Sequence, residues 1–393
     1  MAAPTNEKKV SCSHYIHDDI AFSILSKLSV KSLKRFSSVC KSWINLFENP
    51  IFINKFRNNL LFKSNSIYAD DDVYLIVILN QFVELSWNLY LLYGDKFQNK
   101  LILDLPPLLH SICQEFDVNA LSILGSAING ILCIYDYDTH TEVVLWNPAT
   151  NEYKKVPYSL AEFPDENEYS TDVSLHGFGY DHDRDDYKII EHVAYSANWF
   201  TPSHVVLPDP FWEIYSLKSN SWRKINYDMP IRVLLTSDVT DVYLNGVCYW
   251  WGETNNKTCL VSFNLCNEVW LTTPSPLADM PGGFNVHLTV LNGYIALISN
   301  WKKTASYQIS ILGEVGVKES WIRLFDVEHV SCMERPIGVG MKGNIYFRKE
   351  DYELACFDLT TGMIEDFGVQ GEFFACQVVH YKINLRSIGE INV

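Results

Sequence analysis

Between residues 128 and 369 one pattern recurs five times. INGILCIYDY (128–137) precedes VVLWNPATNEYKKV (143–156), and HGFGYDHDRDDYKIIEHV (176–193) precedes FWEIYSLKSNSWRKI (211–225). LNGVCYWWG (244–252) precedes CLVSFNLCNEVWLTT (259–273), and LNGYIALIS (291–299) precedes YQISILGEVGVKESWIRLF (307–325). MKGNIYFRK (341–349) precedes ELACFDLTTGMIEDFGV (353–369). The units share a glycine after a turn residue, an apolar strand, a variable loop, a second strand, a tight polar turn and a strand that often opens on an aromatic. Short runs of Val, Ile, Tyr, Trp and Phe bounded by Gly, Asn, Asp, Ser and Thr are strand and turn signals. Gly246 and Gly293 are 47 residues apart, Gly293 and Gly343 are 50, and the 116 from Gly130 to Gly246 leave room for two units with an insertion.

Asn129-Gly130, Asn245-Gly246 and Asn292-Gly293 are dipeptides of type I′ hairpins, where both residues need positive φ. A period near 50 residues with about four strands per unit predicts a kelch-like β-propeller. Residues 65–125 (VYLIVIL, LSWNLYLL, KLILDL) have space and strand character for a sixth, degenerate blade. FFACQVVHYKINL near the end supplies a strand to close the ring beside it. The alternative is a β-sandwich of the same hairpins.

The head reads differently. In DDIAFSILSKL, Ile20, Ile24, Leu25 and Leu28 line one face of a helix, and Asp18 and Asp19 suit its first turn. A second helix fits SVKSLKRFSSVC, with Ser29 as N-cap and Val30, Leu33, Phe36 and Val39 or Cys40 on one side. A third fits KSWINLFEN, with Trp43, Leu46 and Phe47, ended by Pro50. Three short helices in some 40 residues carry more apolar bulk than they can bury among themselves. A surplus face of that kind fits a partner, or the same chain's body. The organisation expected is a polar tail (1–14), a helical module (15–57), a connection with the degenerate first blade (58–125) and β repeats (126–393).

Charge divides at the same place. The net charge is −16 overall, with +6 over residues 1–64 and −22 over the rest. An acidic body argues against nucleic acid as the main partner. The basic head and acidic body suit different partners. Residues 1–14 hold no apolar signal core, and the longest apolar runs, at 73–79 and 85–94, fall short of the ~18 residues that span a bilayer. No membrane partner is expected. The ten cysteines form no CxxC pair and read as reduced thiols of a soluble protein inside the cell, cytoplasmic and/or nuclear.

The head resembles an F-box. The family pattern, approximately Leu-Pro-x-Asp/Glu-Leu, Ile-Leu, Leu-Pro-x-Lys-Ser-Leu and Val-x-Lys-x-Trp, is met by Ile16-His17-Asp18-Asp19-Ile20, Ile24-Leu25, Leu28 through Leu33, and Val39-Cys40-Lys41-Ser42-Trp43. The strings LWNPATNEYKKV, GFGYDHDRDDYK, EIYSLKSNSWRK and LNGVCYWWG resemble the F-box-associated domain of plant F-box proteins, the group that includes the S-locus F-box type. His17 and Ser29 stand where the family has proline. The resemblance implies the substrate-recognition subunit of an SCF-type cullin–RING ubiquitin ligase. Its F-box would dock a small acidic Skp-family adaptor, and its β domain would bind the protein to be ubiquitinated. The adaptor-binding residues it implies are Ile16, Asp19, Ile20, Ile24, Leu25, Leu28, Val30, Leu33, Val39 and Trp43, some of them core of the module. An F-box-like binding scaffold without a ligase adaptor is the alternative, for which His17 and Ser29 are the reason.

No catalytic residue, metal ligand or cofactor is expected. GxGxxG, GKS/T, GxSxG, HExxH and CxxC motifs do not occur. His14 and His17, and Asp181-His182-Asp183, read as turn residues. DHDRDD (181–186) reads as a hairpin cap, lacking the Gly and terminal Glu of a calcium loop. Cys259 and Cys266 read as core thiols. Trp146, Trp222, Trp270 and Trp321 recur at one place in the unit and read as blade packing. A propeller enzyme needs convergent acids, a metal or a nucleophile near the axis, and the repeat-opening strands share none. Propeller targets bind on variable loops. The candidates are 157–175, 194–210 and 274–286.

Overall fold

The computed structural model describes residues 18–28, 32, 33, 36, 43, 49–53, 55, 56 and 59 of the head. In the body it describes 73–81, 86–93, 97, 99–109, 121–136, 142–163, 168–199, 201, 202, 204–231, 241–254, 257–277, 284–301, 306–328, 333–340, 343–370 and 376–388. The chain divides into two compact units, Met1–Leu60 and Leu61–Val393.

The second unit is a ring of six four-stranded antiparallel sheets. The first blade is made of β1 (Val73–Gln81), β2 (Ser86–Tyr93) and β3 (Asn99–Ile102), the second of β4 (Leu121–Ile123), β5 (Leu132–Asp136), β6 (Val143–Asn147) and β7 (Glu152–Lys155). The third blade holds β8 (Ser170–Asp181), β9 (Asp186–Ser196), β10 (Phe211–Ser216) and β11 (Ser221–Ile225). The fourth holds β12 (Val242–Leu244), β13 (Val247–Thr254), β14 (Lys257–Asn264) and β15 (Trp270–Pro274). The fifth holds β16 (Phe284–Leu291), β17 (Tyr294–Trp301), β18 (Tyr307–Leu312) and β19 (Trp321–Val327). The sixth holds β20 (Met333–Val339), β21 (Asn344–Lys349), β22 (Glu353–Asp358) and β23 (Ile364–Gln370). The last strand, β24 (Cys376–Lys382), pairs with β1 and completes the first blade.

This is the propeller the period predicts, and six separate sheets exclude the sandwich. The closing strand comes from the segment expected. Its Gln377 side chain also accepts from Ile123 N–H (2.7 Å) and donates to Ile123 C=O (3.3 Å), tying the first blade to the second.

The apolar runs are continuous because each sheet is covered on both sides. Alternate residues of a strand point to opposite neighbours. Leu75 and Val77 pack with Ile337 and Tyr346 of the sixth blade, while Ile76 and Ile78 pack with Leu132 and Ile134 of the second. Tyr215 and Trp222 meet the second blade, while Trp212 and Ile214 meet Trp250 and Phe263 of the fourth.

The turns follow their sequences. Asn129, Asn245 and Asn292 have φ near 50° and the glycines after them φ of 78–83°, as type I′ requires. Between third and fourth strands the residue closing the third carries the turn. Asn147 accepts from Ala149 N–H, Asn264 from Cys266 and Asn267 N–H, and Asp358 from Thr360 and Thr361 N–H.

Three expectations are corrected. The second blade starts at Leu121, before residue 126, because its innermost strand is only three residues long and lies upstream of the Asn-Gly turn. The glycine-opened strands are accordingly second from the axis, and β4, β8, β12, β16, β20 and β24 line it. The tryptophans do not share one place: Trp222, Trp270 and Trp321 open fourth strands, whereas Trp146 lies on a third. In the second blade Tyr153 stands opposite Trp146 on the fourth strand and fills the equivalent space.

In the head, α1 (Asp18–Leu25) is the helix expected. Residues 32, 33, 36 and 43 are helical, as the second and third helices require. Pro50, expected to end the third helix, opens a further one; residues 44–48, where that end would fall, lie outside the described residues. Asn49 caps the helix that Pro50 opens, accepting from Ile51 N–H at 2.8 Å, and the fixed φ of proline suits the first helical position.

Candidate functional site

The helix α1 has two unlike sides. Ala21 and Leu25 face inward, Leu25 being 3% exposed, and Phe22 meets Phe52 edge to face at 5.3 Å. Asn59 donates from Nδ2 to the carbonyl and hydroxyl oxygens of Ser26, both at 3.0 Å, fixing the helix end. On the other side Ile20 and Ile24, one turn apart, are 55% and 52% exposed. Asp19 is exposed beside them. Leu33 is buried, Leu28 is half-buried, and Trp43 meets Phe36 edge to face at 5.5 Å. Of the residues expected to bind the adaptor, the structure therefore leaves Asp19, Ile20 and Ile24 outward and gives Leu25 and Leu33 to the module's own core. Ile16, Val30 and Val39, with His17 and Ser29, lie outside the described residues. Ile51, which the sequence did not single out, is also exposed.

In the propeller, strand direction sorts the connections. In the blades built from consecutive strands, the connections from first to second and from third to fourth strand lie at one end. Second-to-third and blade-to-blade connections leave from the other end. Segments 157–175, 194–210 and 274–286 are all connections of the second kind and share one face of the ring. Around the third blade this face carries exposed apolar groups: Tyr158, Leu160 and Phe163 on one segment, and Val206 and a fully exposed Trp199 on the next. Tyr227 and Ile231, between β11 and β12, add to them and were missed, because DMPI carries no pattern distinguishing a surface connection from a strand. Segment 274–277 behaves differently, with Ser275 and Leu277 buried.

The segment from Pro157 is fastened at several points. Trp222 Nε1 donates to Pro157 C=O at 2.7 Å, and Thr171 Oγ1 to Glu162 C=O at 2.7 Å. Ser159 Oγ and Leu160 N–H donate to Glu213.

Asp181, considered for metal binding, is structural. It is fully buried and accepts from Lys188 Nζ at 2.6 Å and Arg184 Nη1 at 2.9 Å. Burial pushes its carboxyl up, but the hydrogen bonds from Lys188 and Arg184 outweigh that and hold it well below the usual carboxylate range. Lys188 also donates to Leu265 C=O at 2.8 Å, pinning the third blade to the fourth. Asp183 and the Cys266 sulfur lie close to Asp181, but its charge is already matched by two cations. Cys259 is buried and Cys266 half-buried.

The axis encloses a channel of about 300 Å³ reached by Asp241, Tyr243, His287, Thr289 and His380. His380 Nε2 bonds to Val339 C=O at 2.6 Å, and burial pushes its pKa down, keeping the ring neutral. No helix among the described residues is long and apolar enough to cross a membrane.

Fold and site define a class: a six-bladed propeller carrying a small helical module. Comparison with known sequences supplies the family. Residues 16–55 match the F-box domain, and residues 113–331, more than half of the chain, match the F-box associated beta propeller domain. The chain belongs to the F-box associated β-propeller family. The propeller extends beyond the matched region on both sides, from β1 to β24. An F-box/kelch-repeat protein of Arabidopsis thaliana is 24% identical over 324 residues, 80% of this chain and 80% of the relative. F-box protein CPR1 of the same plant is 22% identical over 397 residues, covering 95% of this chain and 90% of its own. Among solved structures, oligogalacturonate lyase in complex with manganese superposes with a TM-score of 0.40 at 12% identity, over 74% of this chain and 77% of that one, a likeness too loose to bear on function.

Proposed function

We propose that this chain is the substrate-recognition subunit of an SCF-type cullin–RING ubiquitin ligase. The F-box docks a Skp-family adaptor, and the propeller holds the protein to be ubiquitinated. The observation that carries the reading is α1, which buries Ala21 and Leu25 yet leaves Ile20 and Ile24 outward, inside the region matching the F-box domain. Two exposed β-branched residues one turn apart on an anchored helix make a ready hot spot. The chain itself catalyses nothing; ubiquitin transfer belongs to the partners. The work takes place in the cytoplasm and/or nucleus, where the ligase and its targets meet. The target docks on the face bearing Trp199, Phe163 and Tyr158, which offers large rigid apolar groups.

The test is capture of a Skp-family adaptor by the full chain and by a chain lacking residues 1–60, at low and high salt. Binding that disappears with the head and survives salt supports an apolar F-box contact. Absence of binding in both favours the scaffold reading, and then His17→Pro with Ser29→Pro is the variant to try.

A further inference from the structure

Glu191 on β9 and Glu213 on β10 are direct cross-strand partners. Their side chains point to the second blade and are 1% and 0% exposed. Like charges directly opposite in a sheet repel. Two carboxylates removed from water do not both ionise, and a shared proton is the usual resolution. The surroundings divide the roles. Glu213 accepts from Ser159 Oγ and from Leu160 N–H, at 3.1 Å to Oε1 and 3.3 Å to Oε2. Glu191 Oε1 has no hydrogen-bond partner among the described residues. Burial first and the adjacent Glu213 second push Glu191 well above the usual carboxylate range, against a smaller opposing pull from the Ser159 hydroxyl. The hydrogen-bond donors thus gather on Glu213, and Glu191 is the member left without them on Oε1.

We infer that Glu191 and Glu213 share one proton, and that this pair is a latch that seats segment 157–163 on the third blade and releases it when the proton is lost. The segment's Ser159 and Leu160 are bound to the very carboxylate that the proton steadies. Without the proton, two adjacent buried anions gain by admitting water, and among the described residues this segment is the surface connection that covers them. A cavity of about 10 Å³ beside Glu191, lined by Val143, Ser159, Phe163 and Trp222, is the place where water first enters. The segment carries Tyr158, Leu160 and Phe163, so the latch governs the surface assigned above to the target. The latch itself stands whether or not that assignment does.

The other titratable groups around the pair do not supply its charge balance. Cys133 faces it from β5, and burial, then Glu191, push that thiol up, so it stays neutral. Just before β6 and on β7, Glu142 and Lys155 pair with each other at 2.7 Å and hold Tyr158 Oη. Lys224 stands opposite Glu213 on β11, but its ammonium lies over the Phe211 ring at 3.7 Å and is exposed. Tyr195 is occupied by Glu162 N–H, and Tyr169 by Glu162 and the Tyr195 ring. From β8 the pair meets the apolar Val173 and Leu175.

The test is limited chymotrypsin digestion of the full chain and of Glu191→Gln, from about pH 6 to about pH 9, scoring cuts after Tyr158 and Leu160. The glutamine amide donates to Glu213 at every pH and imitates the protonated acid. Comparison at equal pH cancels the protease's own pH dependence. The expected ratio of wild-type to variant cleavage is near one at the acid end and about tenfold at the alkaline end. A flat ratio overturns the latch. Ser159→Ala should raise cleavage at about pH 6 without lowering the melting temperature; no rise there also overturns it. Should Glu191→Gln fail to fold, the wild type still decides. A protonated-carboxylic-acid infrared band that persists at neutral pH and fades on alkalinisation supports the latch, and its absence at neutral pH refutes it.

Discussion

At the residue scale, buried charge in the propeller fastens blades together. Asp181 and Lys188 are both almost fully buried, and each also engages the polypeptide of a neighbouring turn or blade. Breaking such a pair leaves the other charge stranded. Asp181→Asn should cost about 3–5 kcal/mol in urea denaturation, and Asp181→Asn with Lys188→Met should recover much of it. The carboxyl is held below its unfolded value, so its stabilisation is present above about pH 4 and drains away as pH falls through and below that point. In Asp181→Asn the acid limb of a stability–pH curve should therefore be shallower. A second residue-scale device is glycine in β8. A Cβ at Gly179 would lie 2.4 Å from Leu265 Cδ1 and 2.6 Å from Tyr243 Cδ2, so the glycine lets the third and fourth blades approach. Gly179→Ala should cost about 1–3 kcal/mol by overpacking, read as a lower melting temperature with an unchanged far-ultraviolet spectrum. Asp181 shows why chemistry is hard to read from a string. DHDRDD offers an acidic triplet, while the groups that decide its role, Lys188 and the Leu265 carbonyl, reach it only across a hairpin and a blade interface.

At the element scale the two sides of α1 make separable claims. Ile20→Ala with Ile24→Ala removes exposed groups, so the head should keep its fold and lose about 2–4 kcal/mol of adaptor binding. Leu25→Ala removes a buried group and should instead destabilise the head by about 2–4 kcal/mol. Thermal melting and adaptor titration of both variants separate the two effects. If the exposed pair binds the adaptor as tightly as wild type, α1 is not the docking helix. Helical period placed all four apolar residues on one side, and the sequence alone left open which of them the module needs for itself. That partition depends on where Phe52 and Asn59 come to rest, 30 and 33 residues from the groups they touch. Turn chemistry was more legible. Asn-Gly announced three hairpins because few other dipeptides tolerate two positive φ values in succession. The three-residue strands β4 and β12 were illegible, since three residues show no alternation.

At the scale of the whole molecule, the ring was legible because repetition is a strong signal, and its closure was legible because an unpaired final strand needs an edge. What period cannot carry is the difference between blades. The fully exposed Trp199 and the buried Glu191–Glu213 pair both belong to the third blade, whose connections are long and unlike the others. Charge also works at this scale. The head carries +6 and the rest −22, so an acidic adaptor meets attraction and repulsion from the same chain. Screening decides which prevails. At about 0.1 M salt the Debye length is ~10 Å, and only charges next to a docked adaptor act on it. At about 0.01 M it is ~30 Å, and the summed charge of the chain acts as well. The association rate should therefore fall as salt rises from about 0.1 M to about 1 M, by roughly tenfold, because steering acts on encounter. On the proposed docking through the exposed Ile20 and Ile24, the dissociation rate should change little, because apolar contact is not screened by salt. Below about 0.1 M the chain without its propeller charge would associate faster than the intact chain. Neutralising exposed acidic residues of the propeller such as Glu162, Asp209 and Asp228 should raise the low-salt rate and leave the high-salt rate alone. Stopped-flow measurement across this range checks each limb. A dissociation rate that climbs steeply with salt would mean that ion pairs, and not the isoleucine ladder of α1, hold the adaptor.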